Sequence, residues 1–288
     1  MKIAIVADST AYISKEEIET SGIYILPLSV IFGQETYLED IEIDSATFYD
    51  KVRGANELPT TSQPPIGMVY DLFKKLAKEG YDAIISIHLS SKISGTHQSV
   101  VALSEDLKDE IAIYPVDSGV SCAVEARAVQ LAVKLAKENR PPEEIVERIQ
   151  HLLDESYEYF IVDDLSHLKR GGRLSAGAAA VGSLLKIKPI LTFEDKSIVV
   201  FEKIRTQQKA MKRIEAVFEE ITGSKDGSGY DIAIINGNCP DKGDKWIKEV
   251  KKKFPKATVH AEYFGPVIGT HLGEGSLGFT WAKTLDHY

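Results

Sequence analysis

The chain has 288 residues, of which 43% are hydrophobic and 27% are charged, a composition typical of a globular protein with room for two domains. Its formal net charge of −9 disfavours binding to nucleic acid or to an anionic membrane surface. The two cysteines, Cys122 and Cys239, lack the spacing of a disulfide framework or a metal site. No apolar run is long enough for a signal peptide or a transmembrane segment, so we expect a cytoplasmic protein.

Short hydrophobic runs alternate with longer amphipathic segments in the first half of the chain. The runs predict strands at Lys2–Ala7, Ile23–Leu28, Asp82–His88 and Ile111–Val116, and the segments predict helices near Ile66–Lys78, Thr96–Leu107, Cys122–Glu138 and Pro142–Asp154. These strands are continuously hydrophobic, which is typical of strands buried on both faces. Residues 1–156 are therefore predicted to form an α/β domain, in which a parallel sheet lies between two layers of helices as a three-layer α/β/α structure.

The second half of the chain has a different pattern. It predicts strands at Tyr159–Val162, Tyr230–Ile235, Val259–Phe264 and Gly278–Ala282, a hairpin of Ile190–Phe193 with Ile198–Phe201, and helices at Thr206–Thr222 and Lys242–Lys253. A hairpin among such elements requires antiparallel pairing. Residues 157–288 are therefore predicted to form a two-layer α/β domain with a mixed sheet, and a ligand is expected between the two domains.

The triplet Asp8-Ser9-Thr10 directly follows the first predicted strand. Ligands of open α/β sheets bind at the carboxyl ends of the strands, which would place this triplet in a site. Serine and threonine are also preferred N-caps, and a predicted helix follows at Lys15. The N-cap preference favours the capping interpretation.

Two polar segments precede predicted helices. Thr61 lies in Pro59–Pro65, a segment rich in hydroxyl residues and proline that reads as a rigid loop, and Ser94 lies with Gly95 after the strand that ends at His88. Free N–H groups and the helix dipole favour an anion at such positions, and glycine allows the backbone to approach it closely. These segments predict a site for a carboxylate or phosphate, with helix capping as the alternative for the first.

Ser94 is a weak candidate for a nucleophile. The local sequence Lys-Ile-Ser-Gly-Thr is not the Gly-x-Ser-x-Gly of a nucleophile elbow. His88 and His97 are near in sequence, but no acidic residue is placed to complete a triad with either. Hydrolase chemistry is therefore disfavoured.

Basic residues surround a Gly-Gly turn near the start of the second half. Arg170 and Arg173 flank Gly171-Gly172, and Arg205 follows later. The planar guanidinium group suits carboxylate and phosphate, so we predict a partner-docking or phosphate contact at these arginines. A solvated basic loop is the alternative.

The glycines Gly273, Gly275 and Gly278 form a G-x-G-x-x-G pattern that is not expected to bind a dinucleotide. Such a site follows a strand, opens a helix and needs an acidic residue about 20 positions on, whereas the printed sequence ends at Tyr288. His271, just before them, could donate a hydrogen bond to an anion or could be structural. No P-loop, H-E-x-x-H or EF-hand pattern is present, so no metal site is predicted.

Five segments, in this order over the whole chain, resemble the DegV family. They are Asp8-Ser9-Thr10, Thr61-Ser62-Gln63-Pro64, Ser90-Ser91-Lys92-Ile93-Ser94-Gly95-Thr96, Arg170-Gly171-Gly172-Arg173-Leu174-Ser175 and Thr270-His271-Leu272-Gly273. The resemblance implies a two-domain α/β protein that holds a long-chain fatty acid, such as hexadecanoate, between its domains. It also implies a FakB-like role, as the acyl-carrying subunit of a bacterial fatty acid kinase.

The resemblance further implies roles for individual residues. Thr61 and Ser94 would hydrogen-bond the fatty-acid carboxylate with His271 nearby, and Ser62, Gly95 and Thr96 would support them. The arginines Arg170, Arg173 and Arg205 would meet the kinase subunit, which brings ATP. The chain departs from the family's usual Gly-Pro-Gly at Glu274, and Arg170 stands where lysine is frequent.

A non-catalytic lipid carrier without a cofactor is therefore the expected function. Each buried methylene contributes about 0.8 kcal/mol, so the acyl tail would supply most of the affinity. Two alternatives stay open. One is a self-sufficient acyl- or phosphoryl-transfer enzyme that uses Ser94 or His271, and the other is a lipid sensor without a kinase partner.

Overall fold

The computed structural model describes residues 1–175 and 187–288. In the first half the strands are β1 (Ile3–Asp8), β2 (Tyr24–Leu26), β3 (Ser29–Phe32), β4 (Glu35–Leu38), β5 (Thr60–Ser62), β6 (Ala83–His88) and β7 (Ala112–Asp117). The helices are α1 (Lys15–Ser21), α2 (Ser45–Gly54), α3 (Ile66–Lys78), α4 (Thr96–Asp106), α5 (Cys122–Lys137) and α6 (Pro142–Asp154), with a 3-10 turn at Ser9–Ala11.

In the second half, strand β8 (Tyr157–Ile161) is followed by helix α7 (Ser166–Gly171). The elements after residue 186 are β9 (Lys188–Glu194), β10 (Ser197–Ile204), α8 (Gln207–Thr222), β11 (Tyr230–Asn236), α9 (Pro240–Lys253), β12 (Thr258–Tyr263), α10 (Pro266–Leu272) and β13 (Leu277–Lys283). A 3-10 turn at Leu285–His287 follows β13.

A four-stranded parallel sheet forms the centre of the first half, with strand order β2-β1-β6-β7. Successive residues of β6 face opposite layers. Ile84 packs in the cluster that contains Phe73 of α3, while Ile85 packs in the cluster that contains Leu131 of α5. Helices therefore cover both faces, and the predicted three-layer α/β/α architecture is confirmed.

A small antiparallel sheet, with order β4-β3-β5, lies in residues 29–62, where the sequence pattern indicated no strand. Thr60–Ser62 was predicted to be a loop, and that prediction is wrong: the segment is β5, in which Thr61 lies opposite Val30 of β3. Three polar residues are too short a run for a period of two to be recognised. The pairing matters for the site because it fixes the backbone of Thr61.

The second half contains a six-stranded mixed sheet with order β10-β9-β8-β13-β11-β12, in which only β11 and β12 are parallel neighbours. One face packs against α8 and α9 through Phe218 and Trp246. The other face contributes Phe160 and Leu191 to a core shared with residues of the first half, such as Leu89. The predicted two-layer mixed-sheet domain is therefore confirmed, and its open face meets the first domain.

The predicted domain boundary at residue 156 falls between the end of α6 at Asp154 and the start of β8 at Tyr157. That boundary stays a prediction.

Among the described residues, no helix has the length and hydropathy that crossing a bilayer requires.

Candidate functional site

A cavity of about 280 Å³ lies where the open face of the mixed sheet meets the first domain. Most of its wall is apolar, formed by side chains that include Leu28, Leu89, Phe160, Phe193, Ile198 and Val267. Thr61, Ser94, Arg173 and His271 supply polar groups. An apolar cavity with a few convergent polar groups is the usual form of a small-molecule site.

Thr61 and His271 form a hydrogen bond in the wall of this cavity. The distance from Thr61 Oγ1 to His271 Nε2 is 2.8 Å, although the two residues are 210 positions apart in the chain. Thr61 is held by the pairing of β5 with β3, and His271 lies in α10. Two residues that the sequence analysis singled out are thus neighbours.

His271 is neutral at physiological pH. Burial, together with the positive charges of Arg173 and His167, lowers the pKa of His271 to about 3. Its buried Nδ1 has no hydrogen-bond partner among the described residues. A neutral imidazole has one donor and one acceptor nitrogen, and a buried N–H without a partner is rarer than an acceptor without one. We therefore assign the proton to Nε2, which donates to Thr61 and leaves the threonine O–H free to donate.

The first glycine of the Gly-Gly turn in the basic segment lies against the same histidine. A Cβ atom at Gly171 would overlap the His271 ring. Helices α7 and α10 also meet where His167 Nδ1 lies 3.2 Å from the carbonyl oxygen of Thr270. Glycine at position 171 therefore allows α7 to approach the histidine closely.

Ser94 lies two residues before the start of α4. Its hydroxyl is 2.9 Å from Thr96 Oγ1, and the backbone N–H of Thr96 donates to it over 3.3 Å. Gly95, the N-cap of α4, has no side chain to cap the helix, and the hydroxyl of Ser94 accepts instead from the N–H of Thr96. A Cβ at Gly95 would overlap the amide oxygen of Gln63, which is itself anchored to Ser99 over 2.7 Å.

The structure thus brings Thr61, Ser94 and His271 to one cavity, and their binding of a carboxylate stays a prediction. Ser62 and Gly95 also line it, whereas Thr96 is buried behind Ser94.

The three predicted partner-contacting arginines are in two different environments. Arg173 lines the cavity, where its Nε donates to the carbonyl oxygen of Ile93 over 3.1 Å and its Nη1 donates to that of Gly171. Burial lowers the pKa of Arg173, although a guanidinium group stays charged in proteins. Arg170 and Arg205 are exposed and form no ion pair within residues 1–175 and 187–288. Only these two are therefore open to a partner surface.

The Asp8-Ser9-Thr10 triplet does not line the cavity. Asp8 caps the following 3-10 turn by accepting from the N–H of Thr10 over 3.0 Å, and it also accepts from the N–H of Leu89 over 2.9 Å. The expectation that Ser9 or Thr10 caps the helix at Lys15 is wrong, because Ser14 does so. The triplet does contain a capping residue, but that residue is Asp8, and it caps the 3-10 turn instead of the helix at Lys15.

A buried chain of hydrogen bonds, the Ser–His–Asp relay of Ser86, His88 and Asp8, was not predicted from the sequence. His88 lies 2.7 Å from Ser86 Oγ through Nε2 and 3.1 Å from Asp8 Oδ2 through Nδ1. The expectation that no acidic residue partners His88 is therefore wrong. All three side chains are fully buried and none lines the cavity, so the relay stabilises the sheet interior.

One group of possible metal ligands also escaped the sequence analysis. His151, Glu155 and His287 bring their ligand atoms within 4.8 Å of one another. Lys283 Nζ lies 3.1 Å from Glu155 Oε1 and 3.0 Å from His287 Nε2. Because this ammonium group already interacts with two of the three residues, we describe the group as an ion-pair cluster.

Glu158 was also missed and lies in the cavity wall. Burial raises the pKa of Glu158 to about 8, opposed by a hydrogen bond from the backbone N–H of Ser121. The strand period of two places it on the same face of β8 as Phe160. That period, applied to Tyr157–Ile161, is the sequence signal that would have identified it.

Similar proteins are known for almost the whole length of this chain. A family model described as an uncharacterised protein of the DegV family matches residues 2–284. A DegV domain-containing protein from Halalkalibacterium halodurans is 47% identical over 280 residues, which cover 97% of this chain and 98% of that protein.

Two solved structures are similar over nearly the whole chain. DegV from Bacillus subtilis, described as a fatty acid binding protein, has 48% sequence identity and a TM-score of 0.91, with 99% of this chain and 100% of that chain covered. A fatty-acid-binding DegV family protein from Thermus thermophilus has 27% identity and a TM-score of 0.89, with 98% and 100% covered.

Proposed function

Because the chain belongs to the DegV family, we propose that it binds one long-chain fatty acid, such as hexadecanoate, in the cavity between its two sheets. The single observation on which this proposal rests is the placement of Thr61, Ser94 and His271 at one apolar cavity. The fatty-acid-binding relatives from Bacillus subtilis and Thermus thermophilus support the ligand class.

The acyl tail supplies the affinity. Side chains such as Leu89, Phe160 and Phe193 offer it an apolar wall, and each methylene transferred from water contributes about 0.8 kcal/mol before ordering costs. The polar groups then determine the orientation of the fatty acid, because a carboxylate without hydrogen bonds would be strongly disfavoured in this cavity.

The carboxylate is oriented by hydroxyl groups. The free O–H of Thr61, oriented by His271, donates to one carboxylate oxygen, and Ser94 donates to the other. His271 acts as a positioning residue, since its neutral ring holds the threonine oxygen at 2.8 Å. The start of α4, next to Ser94 and Gly95 in the cavity wall, adds a favourable electrostatic potential for an anion.

Arg173 compensates the charge of the carboxylate. It is the only lysine or arginine among the described residues that line the cavity. A half-buried guanidinium with Nη2 free of hydrogen bonds to the described residues can meet an anion at a modest desolvation cost. This role replaces the partner contact that the sequence analysis gave it.

The chain presents the bound carboxylate to an ATP-dependent fatty acid kinase subunit, which phosphorylates it to an acyl phosphate. Arg170 and Arg205, both exposed, serve as contacts for that partner. The chain itself is non-catalytic and needs no cofactor. Within residues 1–175 and 187–288, Ser94 makes no hydrogen bond to a base, because its hydroxyl pairs with Thr96 and His271 pairs with Thr61. That arrangement disfavours a self-sufficient transferase.

The test is the double variant Thr61→Ala with Ser94→Ala. After removal of co-purified lipid, binding of hexadecanoate is measured by titration with a fluorescent competitor. Each lost hydrogen bond to a charged group is worth about 1.5–3 kcal/mol, so the dissociation constant is expected to rise at least about tenfold. The matched control, Thr60→Ala with Ser104→Ala, removes one hydroxyl from β5 and one from α4 that do not line the cavity, and leaves affinity unchanged. Equal affinity of the first variant and the parent would refute the proposal.

A further inference from the structure

The cavity wall contains a buried, unpaired carboxyl oxygen that the proposed head-group site does not use. Glu158 is 4% exposed, and its Oε2 is buried without a hydrogen-bond partner among the described residues. A buried polar atom left unpaired costs about 1–3 kcal/mol, so its retention in the wall of a binding cavity points to a partner that arrives with the ligand.

The backbone of Glu158 is rigidly held. It lies in β8 between β9 and β13, opposite Thr280 of β13, and its carbonyl oxygen accepts from Thr192 Oγ1 over 2.8 Å. The side chain shares a face with Phe160, whose ring centroid lies 6.0 Å from that of Phe193. The carboxyl group therefore has a defined position among apolar side chains.

Glu158 lies away from the head-group residues. Strand β8 starts beside Glu158 and runs toward α7, and α7 reaches His271 through Gly171. A strand advances about 3.3 Å per residue, so the length of β8 separates Glu158 from that end of the cavity. A fatty acid whose carboxylate contacts Thr61 and Ser94 would pass Glu158 with its acyl chain.

We propose that Glu158 recognises a hydroxyl group on the acyl chain, so that the preferred ligands are hydroxylated long-chain fatty acids. This inference rests on the proposed function and specifies its ligand class. A hydroxyl group is the best match because it can both donate and accept, and a protonated carboxyl group does the same.

The charge state agrees with that chemistry. Burial raises the pKa of Glu158 to about 8, and the neighbouring acids Glu125 and Cys122 also have raised pKa values because they are buried. No basic side chain is among the causes of the Glu158 shift. The group therefore meets the ligand as a neutral acid, and a single water is a poor substitute because buried waters make about three hydrogen bonds, whereas this wall is mostly apolar.

The experiment compares octadecanoic acid with a series of hydroxyoctadecanoic acids that differ in the position of the hydroxyl. Delipidated protein is titrated with each acid by competition. The isomer whose hydroxyl reaches Glu158 is expected to bind at least about tenfold more tightly than octadecanoic acid, which corresponds to about 1.4 kcal/mol. In Glu158→Gln the preference should persist, because the amide still donates and accepts, whereas Glu158→Met should lose it and bind octadecanoic acid more tightly than the parent.

An infrared measurement gives an independent readout. The C=O band of the protonated Glu158 should shift when the preferred isomer binds and should be missing from Glu158→Gln. Thermal melting of both variants verifies that they fold. If octadecanoic acid binds but no isomer is preferred, or the preference survives in Glu158→Met, this inference is wrong while fatty-acid binding stands. If no fatty acid binds, both proposals are wrong.

Discussion

Arg53 and Glu274 form a two-point ion pair between the two halves of the chain. Arg53 Nε lies 3.1 Å from Glu274 Oε2, and its Nη2 lies 2.5 Å from Oε1. Arg53 lies in the last turn of α2, whereas Glu274 follows α10 and also accepts from Asn238 over 2.7 Å. The carboxylate of Glu274 thus adds a contact between the two halves, beside the segment that positions His271.

Loss of this ion pair should have a small, salt-dependent effect. Arg53→Ala is expected to lower the free energy of unfolding by less than about 1 kcal/mol, because both side chains are substantially exposed and exposed pairs contribute little. The difference from the parent should shrink as ionic strength rises in urea denaturation series. Lys108→Ala, which breaks the exposed pair with Glu105, is the matched control. A loss of several kcal/mol would mean that the contact between the halves depends on this one pair.

The close approach of α7 to His271 predicts a strong effect at Gly171. Gly171→Ala places a Cβ where the imidazole ring lies, so either the ring or the helix must move. Such overpacking typically costs about 1–3 kcal/mol. The melting temperature should fall, and affinity for hexadecanoate should fall with it because the histidine no longer orients Thr61.

Gly67→Ala is the control for that prediction. Gly67 lies in α3, and a Cβ there has no heavy atom within 4 Å. Alanine in a helix should stabilise the protein by about 0.4–1 kcal/mol and leave binding unchanged. Unchanged binding in Gly171→Ala would show that the position of His271 is unimportant for the ligand.

The raised pKa of Glu158 predicts how stability depends on pH. An unfolded glutamate titrates near its ordinary value, about 4.3, whereas Glu158 titrates at about 8 in the folded protein. Between those values the folded protein binds more protons, so the free energy of unfolding falls as pH rises, by at most about 1.4 kcal/mol per pH unit. Position 158 of Glu158→Gln does not titrate. The free energy of unfolding of this variant relative to the parent should therefore increase from about pH 5 to about pH 8, which is the window between the two pKa values.

Urea denaturation of both proteins at several pH values measures this difference. Other buried acids, such as Glu39 and Glu125, titrate in both proteins and cancel to first order. Stability curves that run parallel across the window would show that the carboxyl group of Glu158 is ionised in the folded protein.

Local patterns identified the regular elements but not the contacts between distant segments. Strands such as β1 and β6 were recognised because continuous hydrophobicity is characteristic of a strand buried on both faces. The sheet of β3, β4 and β5 was missed because its strands are short. The Asp8–His88 pair was missed because the residues are 80 positions apart, and no periodicity encodes such a distance.

The residues of the candidate site carry local signals in the sequence, but their arrangement around one cavity does not. Thr61 and Ser94 each precede a helix, which is a local signal, but their meeting with His271 was implied only by the resemblance to a family. Glu158 illustrates the opposite case. Its position could have been inferred from the strand period, but its unpaired oxygen depends on packing between the two sheets.

Substitution of the exposed arginines Arg170 and Arg205 distinguishes a lipid carrier that works with a kinase from a lipid sensor without a kinase partner. The double variant Arg170→Ala with Arg205→Ala should bind hexadecanoate with the affinity of the parent, because neither side chain lines the cavity. With a fatty acid kinase subunit and ATP, it should form less acyl phosphate, with a raised Michaelis constant for the loaded carrier, because two charged contacts are lost. The matched control, Lys169→Ala with Lys203→Ala, removes the exposed cations nearest in sequence. If the arginine and lysine variants lose activity equally, the effect is one of general charge. If the parent carrier supports no acyl phosphate formation with any such kinase subunit, the sensor alternative is favoured.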